Sequence, residues 1–156
     1  MQKPKKYISA IDALKKLQRY CAYQDRCHAE VRSKLLDLGV YGDTLEEIMA
    51  ELVTDNFLNE ERFARSYARG KFNIKKWGRT RIKQELKKRK ITDYCIRKAM
   101  EEIEEEDYEK TLHLLIEKKA AQMEDPFSFQ NKAKIANYLI RRGFESKLVW
   151  EAIKTN

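Results

Sequence analysis

The chain has 156 residues, enough for one ordinary domain or a few small repeats and too few for two substantial enzyme domains. Charged residues make up 37% of it and hydrophobic residues 42%, which excludes disorder throughout and indicates amphipathic elements around a core. The longest stretch without a charged side chain is six residues, as in 111–116, whereas a bilayer span needs about 20. We therefore expect a soluble, cytoplasmic protein without a membrane span or secretory signal.

Five glycines, two prolines and an apolar spacing of three and four predict an almost entirely helical chain. Ser9, followed by Asp12, is typical of the cap of a first helix. Gly39 predicts the end of a second helix, and Thr44 the start of a third. The fourth, fifth and sixth helices are predicted to begin at Asn59, Gly78 and Thr92. The seventh is predicted to run through Leu112 and Leu115. The eighth is predicted to begin at Asp125-Pro126, and the ninth to run through Val149 and Trp150.

Apolar positions recur three times along these helices. The first set of positions is Val31, Leu35, Val40, Leu45 and Met49. It aligns without gaps with a second set, Ile82, Leu86, Ile91, Ile96 and Met100. The third set, aligned in the same way, is Ile135, Leu139, Phe144, Val149 and Ile153. The offsets, 51 and then 53 residues, indicate a repeat. The fold class we predict is all-α, an elongated array of three tandem three-helix repeats spanning 1–56 with a basic N-terminal tail, 57–106 and 107–156.

One position departs from this repeat. Gly39 and Gly143 stand at the corner between the second and third helices of their repeats, whereas Lys90 stands there in the middle copy. A left-handed backbone at Lys90 would cost about 1 kcal/mol relative to glycine. Alternatively, the helix simply ends differently in that copy.

The charge is segregated along the chain. Residues 62–98 hold 15 Lys and Arg against only Glu85 and Asp93, a local charge of +13, so the remainder carries −5 of the net +8. Such a block attracts phosphate backbones or an acidic protein surface, unless it is only a solvated helix face. Seven carboxylates in 101–109 are expected to form an exposed junction, with a partner site as the alternative.

Signatures of catalysis are missing from the sequence. It has no glycine-rich phosphate loop, no HExxH and no GxSxG. The odd number of cysteines, Cys21, Cys27 and Cys95, fits a reducing compartment and core positions, and no second ligand pair completes a zinc spacing. We predict a binding protein that is not an enzyme and that holds neither a metal nor a cofactor.

Cations alternate with aromatic residues between Phe63 and Lys90. Cations can pair with phosphates or carboxylates while an aromatic ring stacks or anchors. On the fourth helix, Arg62, Arg65 and Arg69 share one face. The alternative that Phe63, Tyr67 and Trp77 are core residues stays open. The binding residues that we predict are Arg65, Tyr67, Arg69, Lys75, Lys76, Trp77, Arg79, Arg81 and Lys83.

One segment reads Phe57-Leu58-Asn59-Glu60-Glu61-Arg62-Phe63-Ala64, and it is followed by Trp77-Gly78-Arg79, Ile82-Lys83 and Leu86. This pattern resembles the bacterial RecX family of recombination regulators. Arg26, Glu30-Val31 and Leu35 extend the resemblance into the first copy, so that it covers most of residues 10–155. Lys90 departs from the corner glycine expected of the family, and Glu60 from its usual aspartate.

The resemblance implies a regulator that binds RecA and the RecA–DNA filament and limits the extension or stability of that filament. The recombinase, ATPase and coprotease activities of RecA would then fall, which places the protein in homologous recombination, DNA repair and the SOS response. We expect a monomer, with direct contact to single- or double-stranded DNA as a further option. The residues alone leave open a stand-alone nucleic-acid binder and a repeat scaffold for another acidic protein.

Overall fold

The computed structural model describes residues 8–155, so the predicted basic tail at Met1–Lys6 lies outside the described residues. The described part contains nine α-helices and no strand, which confirms the all-α prediction. The helices are α1 (Ala10–Tyr23), α2 (His28–Asp37), α3 (Gly42–Thr54), α4 (Glu60–Asn73), α5 (Arg79–Lys88), α6 (Asp93–Met100), α7 (Glu105–Ala120), α8 (Phe129–Arg141) and α9 (Ser146–Lys154).

The helix boundaries reproduce the repeat found in the sequence. The helix α5 begins and ends 51 residues after α2, α6 begins 51 residues after α3, and α9 begins 53 residues after α6. The helices α1–α3 form the first repeat, α4–α6 the second and α7–α9 the third. This confirms three tandem three-helix repeats. The predicted boundary between 106 and 107 falls in the first turn of α7, which begins at Glu105 and packs against α8 and α9.

The corner of each repeat is closed by the same backbone hydrogen bond. In the second repeat the Ile91 amide donates to the Leu86 carbonyl at 3.1 Å, and the amides of Val40 and Phe144 do the same at the equivalent positions. The residue inside this loop is left-handed in all three repeats, with φ of +82° at Gly39, +59° at Lys90 and +101° at Gly143. Lys90 therefore adopts the backbone that the repeat predicts.

Three predicted helix starts are confirmed by side-chain caps. Ser9 Oγ accepts from the Asp12 amide at 3.1 Å, and Asn59 Oδ1 accepts from the Arg62 amide at 2.9 Å. The Thr92 hydroxyl caps α6 in the same way, at 3.4 Å. Each cap satisfies an amide that has no partner within its helix.

Two other predicted starts are wrong. The helix α3 begins at Gly42 rather than at Thr44, because the corner places Tyr41 at the N-cap, and the Tyr41 side chain offers no capping bond that a sequence pattern would reveal. The helix α8 begins at Phe129, with Ser128 as its cap, rather than at Asp125-Pro126. The Asp125 carbonyl instead accepts from the Ser128 amide at 3.3 Å, in the turn that precedes the helix.

Two apolar cores hold the repeats. The first repeat packs around its own core, which includes Leu17, Leu35 and Leu52. The second and third repeats share one continuous core, and Cys27 of the first repeat also belongs to it. All three cysteines are buried, as predicted.

The second and third repeats meet through backbone atoms. At the start of α5, the Gly78 amide donates to the Arg142 carbonyl at 2.8 Å and the Thr80 amide to the Gly143 carbonyl at 2.9 Å. A Cβ on Gly78 would lie 2.2 Å from the Gly143 carbonyl carbon. Only glycine therefore permits this close approach.

Tyr108 of α7 completes the joint. Its fully buried ring lies 5.8 Å from the Phe72 ring and 5.1 Å from the Phe144 ring, measured between centroids. Its hydroxyl accepts from the Arg79 amide at 3.0 Å and donates to the Glu145 carboxylate. Burial, followed by the hydrogen bond to Glu145, raises the pKa of the Tyr108 phenol well above its ordinary value.

We predict that Gly78→Ala lowers the free energy of unfolding by about 3 kcal/mol, because the new methyl group collides with backbone rather than with a flexible side chain. Gly70→Ala is the matched control: Gly70 lies inside α4 with open space around its Cβ position, and alanine there should add about 0.5–1 kcal/mol. Urea unfolding followed by circular dichroism measures both. Equal effects of the two changes would contradict the proposed contact.

We predict that Lys90→Gly raises the free energy of unfolding by about 1 kcal/mol, because glycine adopts the left-handed backbone without strain. Lys87→Gly removes the same side chain from the last turn of α5, where the backbone is helical, and should instead lower the free energy of unfolding by about 0.5 kcal/mol. Thermal unfolding compares the two variants, and a loss of stability in both would show that Lys90 is not strained.

Candidate functional site

Part of the basic segment is neutralised within the protein. Arg65 on α4 forms ion pairs with Glu61 at 3.3 Å, Glu101 at 3.2 Å and Glu102 at 3.1 Å, and Arg69 pairs with Glu102 at 3.0 Å. The hydrogen bond that Arg65 donates to the Glu102 carboxylate is the main reason that the pKa of Arg65 is raised. These two arginines therefore bind the carboxylates that follow α6.

Arg79 is neutralised in the same manner. Its guanidinium lies 3.8 Å from the centroid of the Tyr108 ring and pairs with Glu105 and, at 3.2 Å, with Glu145. The acidic stretch 101–109 is exposed at Glu101 and Glu105, as expected, but these side chains also hold arginines of the second repeat. Arg65, Arg69 and Arg79 are thus structural ion-pair residues.

Other cations of the second repeat lie over aromatic rings instead. Lys71 Nζ is 4.9 Å from the centroid of the Trp77 ring and 5.4 Å from that of Tyr67. The Arg81 guanidinium carbon lies 4.0 Å from the Trp77 centroid, and that of Arg89 lies 4.9 Å from the Tyr67 centroid. We call the surface formed by Tyr67, Lys71, Lys75, Trp77, Arg81 and Arg89 the cation–aromatic groove.

The groove borders a cavity of about 400 Å³ between the second repeat and the first. Tyr67, Lys71, Lys75 and Arg89 line it from one side. Its other lining residues are Gln24, Asp25, Glu30, Phe63, Ser66, Gly70 and Ile74. The cavity is open to solvent beside exposed Lys75 and Ile74, so a flexible or extended anionic partner could reach it.

The electrostatics of the groove follow from a few contacts. Glu85 accepts from Arg89 at 3.1 Å and from Lys88 at 3.2 Å, and these bonds, that of Arg89 first, lower the pKa of its carboxyl group. Burial raises the pKa of the Tyr67 phenol more than nearby Arg89 lowers it. Tyr67 therefore keeps its proton at neutral pH and can donate a hydrogen bond.

The first repeat carries the same arrangement with its charges balanced. There the Arg26 guanidinium carbon lies 3.7 Å from the centroid of the Tyr20 ring, and Arg26 pairs with Glu30 at 3.9 Å. The residues 51 positions later, in the same order as Tyr20, Arg26 and Glu30, are Lys71, Trp77 and Arg81. Lys71 therefore stands at the position of the Tyr20 ring, and the Trp77 ring stands at the position of Arg26. Arg81 takes the position of the Glu30 carboxylate. Only the second of these two repeats is left with excess positive charge at this position.

The structure brings together four of the predicted site residues, Tyr67, Lys75, Trp77 and Arg81, in the groove. Phe63 is buried, so for this residue the alternative prediction of a core position is confirmed. Lys76 occupies a left-handed corner, and its Nζ donates to the Asn73 carbonyl at 2.8 Å. Lys83, two residues after Arg81, lies on a different face of α5.

Sequence reasoning missed two groove residues, Lys71 and Arg89. The spacing of four residues places Arg81, Glu85 and Arg89 on one face of α5, which continues to its C-cap residue, Arg89. Arg89 on this face lies over the Tyr67 ring. That spacing was a usable signal. Across residues 8–155, no group of three His, Cys, Asp or Glu side chains could hold a metal ion, and no helix is long and apolar enough to cross a membrane.

We predict that Arg79→Gln lowers the free energy of unfolding by about 1–2 kcal/mol, because it leaves the half-buried Glu145 with fewer donors and uncovers the Tyr108 ring. Lys75→Gln, a change at an exposed groove cation, should alter it by less than about 0.5 kcal/mol. Denaturant unfolding of the two variants distinguishes structural from available cations. Equal stability of both would contradict the structural role of Arg79.

Comparison with known proteins matches two consecutive family models to the chain. Residues 59–100 match the second three-helix domain of RecX, and residues 105–153 match its third three-helix domain. These ranges follow the second and third repeats of the structure. Together they include the groove and the joint at Gly78.

Individual relatives agree with these matches. Regulatory proteins RecX of Bacillus thuringiensis (strain Al Hakam) and Bacillus cereus (strain B4264) are each 28% identical over 145 residues, which is 93% of this chain and 51% of the relative. The chain therefore spans about half the length of the curated relatives it matches.

Two solved structures have the same fold. The crystal structure of RecX from Lactobacillus salivarius superposes with a TM-score of 0.83 at 26% identity, covering 94% of this chain and 95% of that one. A second crystal structure of regulatory protein RecX gives 0.80 at 22% identity, covering 94% and 74%. With the two domain matches, these similarities show that the chain belongs to the RecX family of regulatory proteins.

Proposed function

We propose that this protein binds RecA and its filament on DNA and limits the extension or stability of that filament. The recombinase, ATPase and coprotease activities of RecA would fall as a result. Membership of a family of regulatory proteins supports this role. The observation that carries it is the cation–aromatic groove, in which Lys71, Lys75 and Arg81 form no ion pair with any residue that the structure describes.

The groove is suited to an anionic surface. Arg81 is held over the Trp77 ring, so its planar donor edge is oriented before a partner arrives, whereas Arg89 is oriented over Tyr67 and already donates to Glu85. Arginine donors oriented in this way bind phosphate or carboxylate oxygens with little further loss of conformational entropy. A RecA filament on DNA offers anions of both kinds, on a surface long enough to contact more than one repeat.

The first experiment is RecA-catalysed ATP hydrolysis on single-stranded DNA, titrated with this protein at amounts well below one per RecA monomer. We expect inhibition at these amounts, because a bound regulator affects many RecA subunits of one filament. A parallel curve for binding to DNA without RecA, at the same salt concentration, measures how much DNA the protein covers. Inhibition only when the DNA is saturated would instead favour a stand-alone nucleic-acid-binding protein.

A charge reversal tests the groove itself. We predict that the triple variant Lys71→Glu, Lys75→Glu, Arg81→Glu inhibits RecA at least about 10-fold less effectively than the unchanged protein, because like charges then face the anionic partner. The control, Lys118→Glu, Lys134→Glu, Lys147→Glu, changes the net charge equally at exposed positions of the third repeat. It should retain inhibition.

Circular dichroism and thermal unfolding accompany both triple variants. Lys75→Glu alone, at an exposed side chain, gives a second measurement if the groove variant does not fold. Unchanged inhibition by folded groove variants would rule out the groove as the contact surface. An equal reduction of inhibition in the groove variant and its control would show that only net charge matters.

A further inference from the structure

An ion pair joins the second and third helices of the first repeat. Arg32 on α2 binds Glu46 on α3 through two parallel hydrogen bonds, one of them 3.0 Å from Nη2 to Oε2. This bidentate contact lowers the pKa of the Glu46 carboxyl group. The two side chains are exposed, so the contact shows which surface positions of this helix pair lie beside one another.

The same two positions of the second repeat hold Lys83 and Arg97. Their helices, α5 and α6, begin 51 residues after α2 and α3, and the corner between them is closed by the same hydrogen bond. From this equivalence we infer that Lys83 and Arg97 lie beside one another, as Arg32 and Glu46 do. The second repeat thus places a cation where the first has the carboxylate.

Neither Lys83 nor Arg97 forms an ion pair with a residue that the structure describes. Lys83 and Arg97 are both exposed, and neither is within 4 Å of a carboxylate oxygen in the part of the chain that the structure describes. Asp93 and Glu101 lie one helical turn before and after Arg97. Glu101 already binds Arg65 and Lys98, whereas Asp93 makes no ion pair among the described residues.

We propose that Lys83 and Arg97 together bind a phosphate of the DNA backbone, at the place that the Glu46 carboxylate occupies in the first repeat. This inference rests on the proposed function. It adds a second contact, because Lys83 and the groove residue Arg81 lie on different faces of α5.

The arrangement favours a nucleic-acid strand over an acidic protein surface. A strand carries one anionic group at every nucleotide, so a single backbone passing over α5 supplies phosphates to the groove on one side and to Lys83 and Arg97 on the other. An acidic protein would need carboxylates matched to two faces of the same helix. Lys87, one turn after Lys83, extends the second contact along α5.

The experiment measures binding of a fluorescent oligothymidylate in the absence of RecA, at several salt concentrations. We predict that Arg97→Glu, which recreates beside Lys83 the ion pair of the first repeat, lowers affinity about 10-fold at low salt. The slope of log K against log salt should become shallower by about 0.7–1, the change expected when one fewer phosphate is neutralised. Thermal stability should change only slightly, because the new ion pair with Lys83 is offset by like charges at Asp93 and Glu101, one helical turn away.

Two further variants sharpen the test. Lys147→Glu makes the same change of charge on the third repeat and should lower affinity less than about twofold. Glu46→Arg places a second cation beside Arg32 and should increase affinity and steepen the salt dependence, since it builds the proposed site into the first repeat.

Three results would overturn the proposal. Equal effects of Arg97→Glu and Lys147→Glu would show that only net charge matters. Weaker binding by Glu46→Arg would show that two cations at these positions do not form a site. Unchanged DNA affinity of Arg97→Glu, combined with a loss of RecA inhibition, would assign the pair to a RecA carboxylate. The proposed function fails separately, if the unchanged protein does not inhibit RecA at all.

Discussion

The backbone contact between Gly78 and the corner at Gly143 determines how the second and third repeats are arranged. The first amides of a helix have no partners inside it, and those of Gly78 and Thr80 are satisfied by carbonyl groups of the third repeat. Trp77 and Arg79 flank this contact, one on each side of Gly78. The same short segment therefore fixes the joint, directs Arg79 into the interface at Tyr108 and Glu145, and places Trp77 under Arg81 in the groove.

Charge in this protein serves two purposes that the composition does not separate. The excess of cations in residues 62–98 indicates a strongly basic surface. In the folded chain, however, Arg65, Arg69 and Arg79 bind carboxylates from the region after α6 and from Glu145. The positive charge available to a partner is smaller and more localised than the sequence indicates, and it lies with the cations held over Tyr67 and Trp77 and with those on the outer face of α5.

Features with local causes could be predicted from the sequence. The caps at Ser9 and Asn59 and the strained corner at Lys90 depend on residues a few positions apart, and the repeat itself appears as a fixed offset of apolar residues. The start of α3 was missed because Tyr41 caps it without a side-chain hydrogen bond. A prediction from residue type alone therefore assigns the cap to Thr44, a residue type that commonly caps helices.

The candidate site was predicted only in part, because its composition depends on contacts distant in sequence. Glu102 reaches Arg65 across 37 residues, and Glu145 reaches Arg79 across 66. No helical spacing identifies such partners. Periodicity places Arg65 and Arg69 on one face of α4, but it does not show whether that face meets solvent or carboxylates. Arg89 could have been found, since it continues the spacing from Arg81.

The repeats differ in charge on equivalent backbones, which makes the first a reference for the second. At two separate positions the first repeat pairs a cation with a carboxylate, Arg26 with Glu30 and Arg32 with Glu46. At both positions the second repeat carries a cation where the carboxylate stood, namely Arg81 and Arg97. At Arg97 this exchange leaves out the ion pair of the first repeat, whereas Arg81 replaces its lost ion pair by a contact with the Trp77 ring. The external anion proposed above would supply the negative charge that both positions lack.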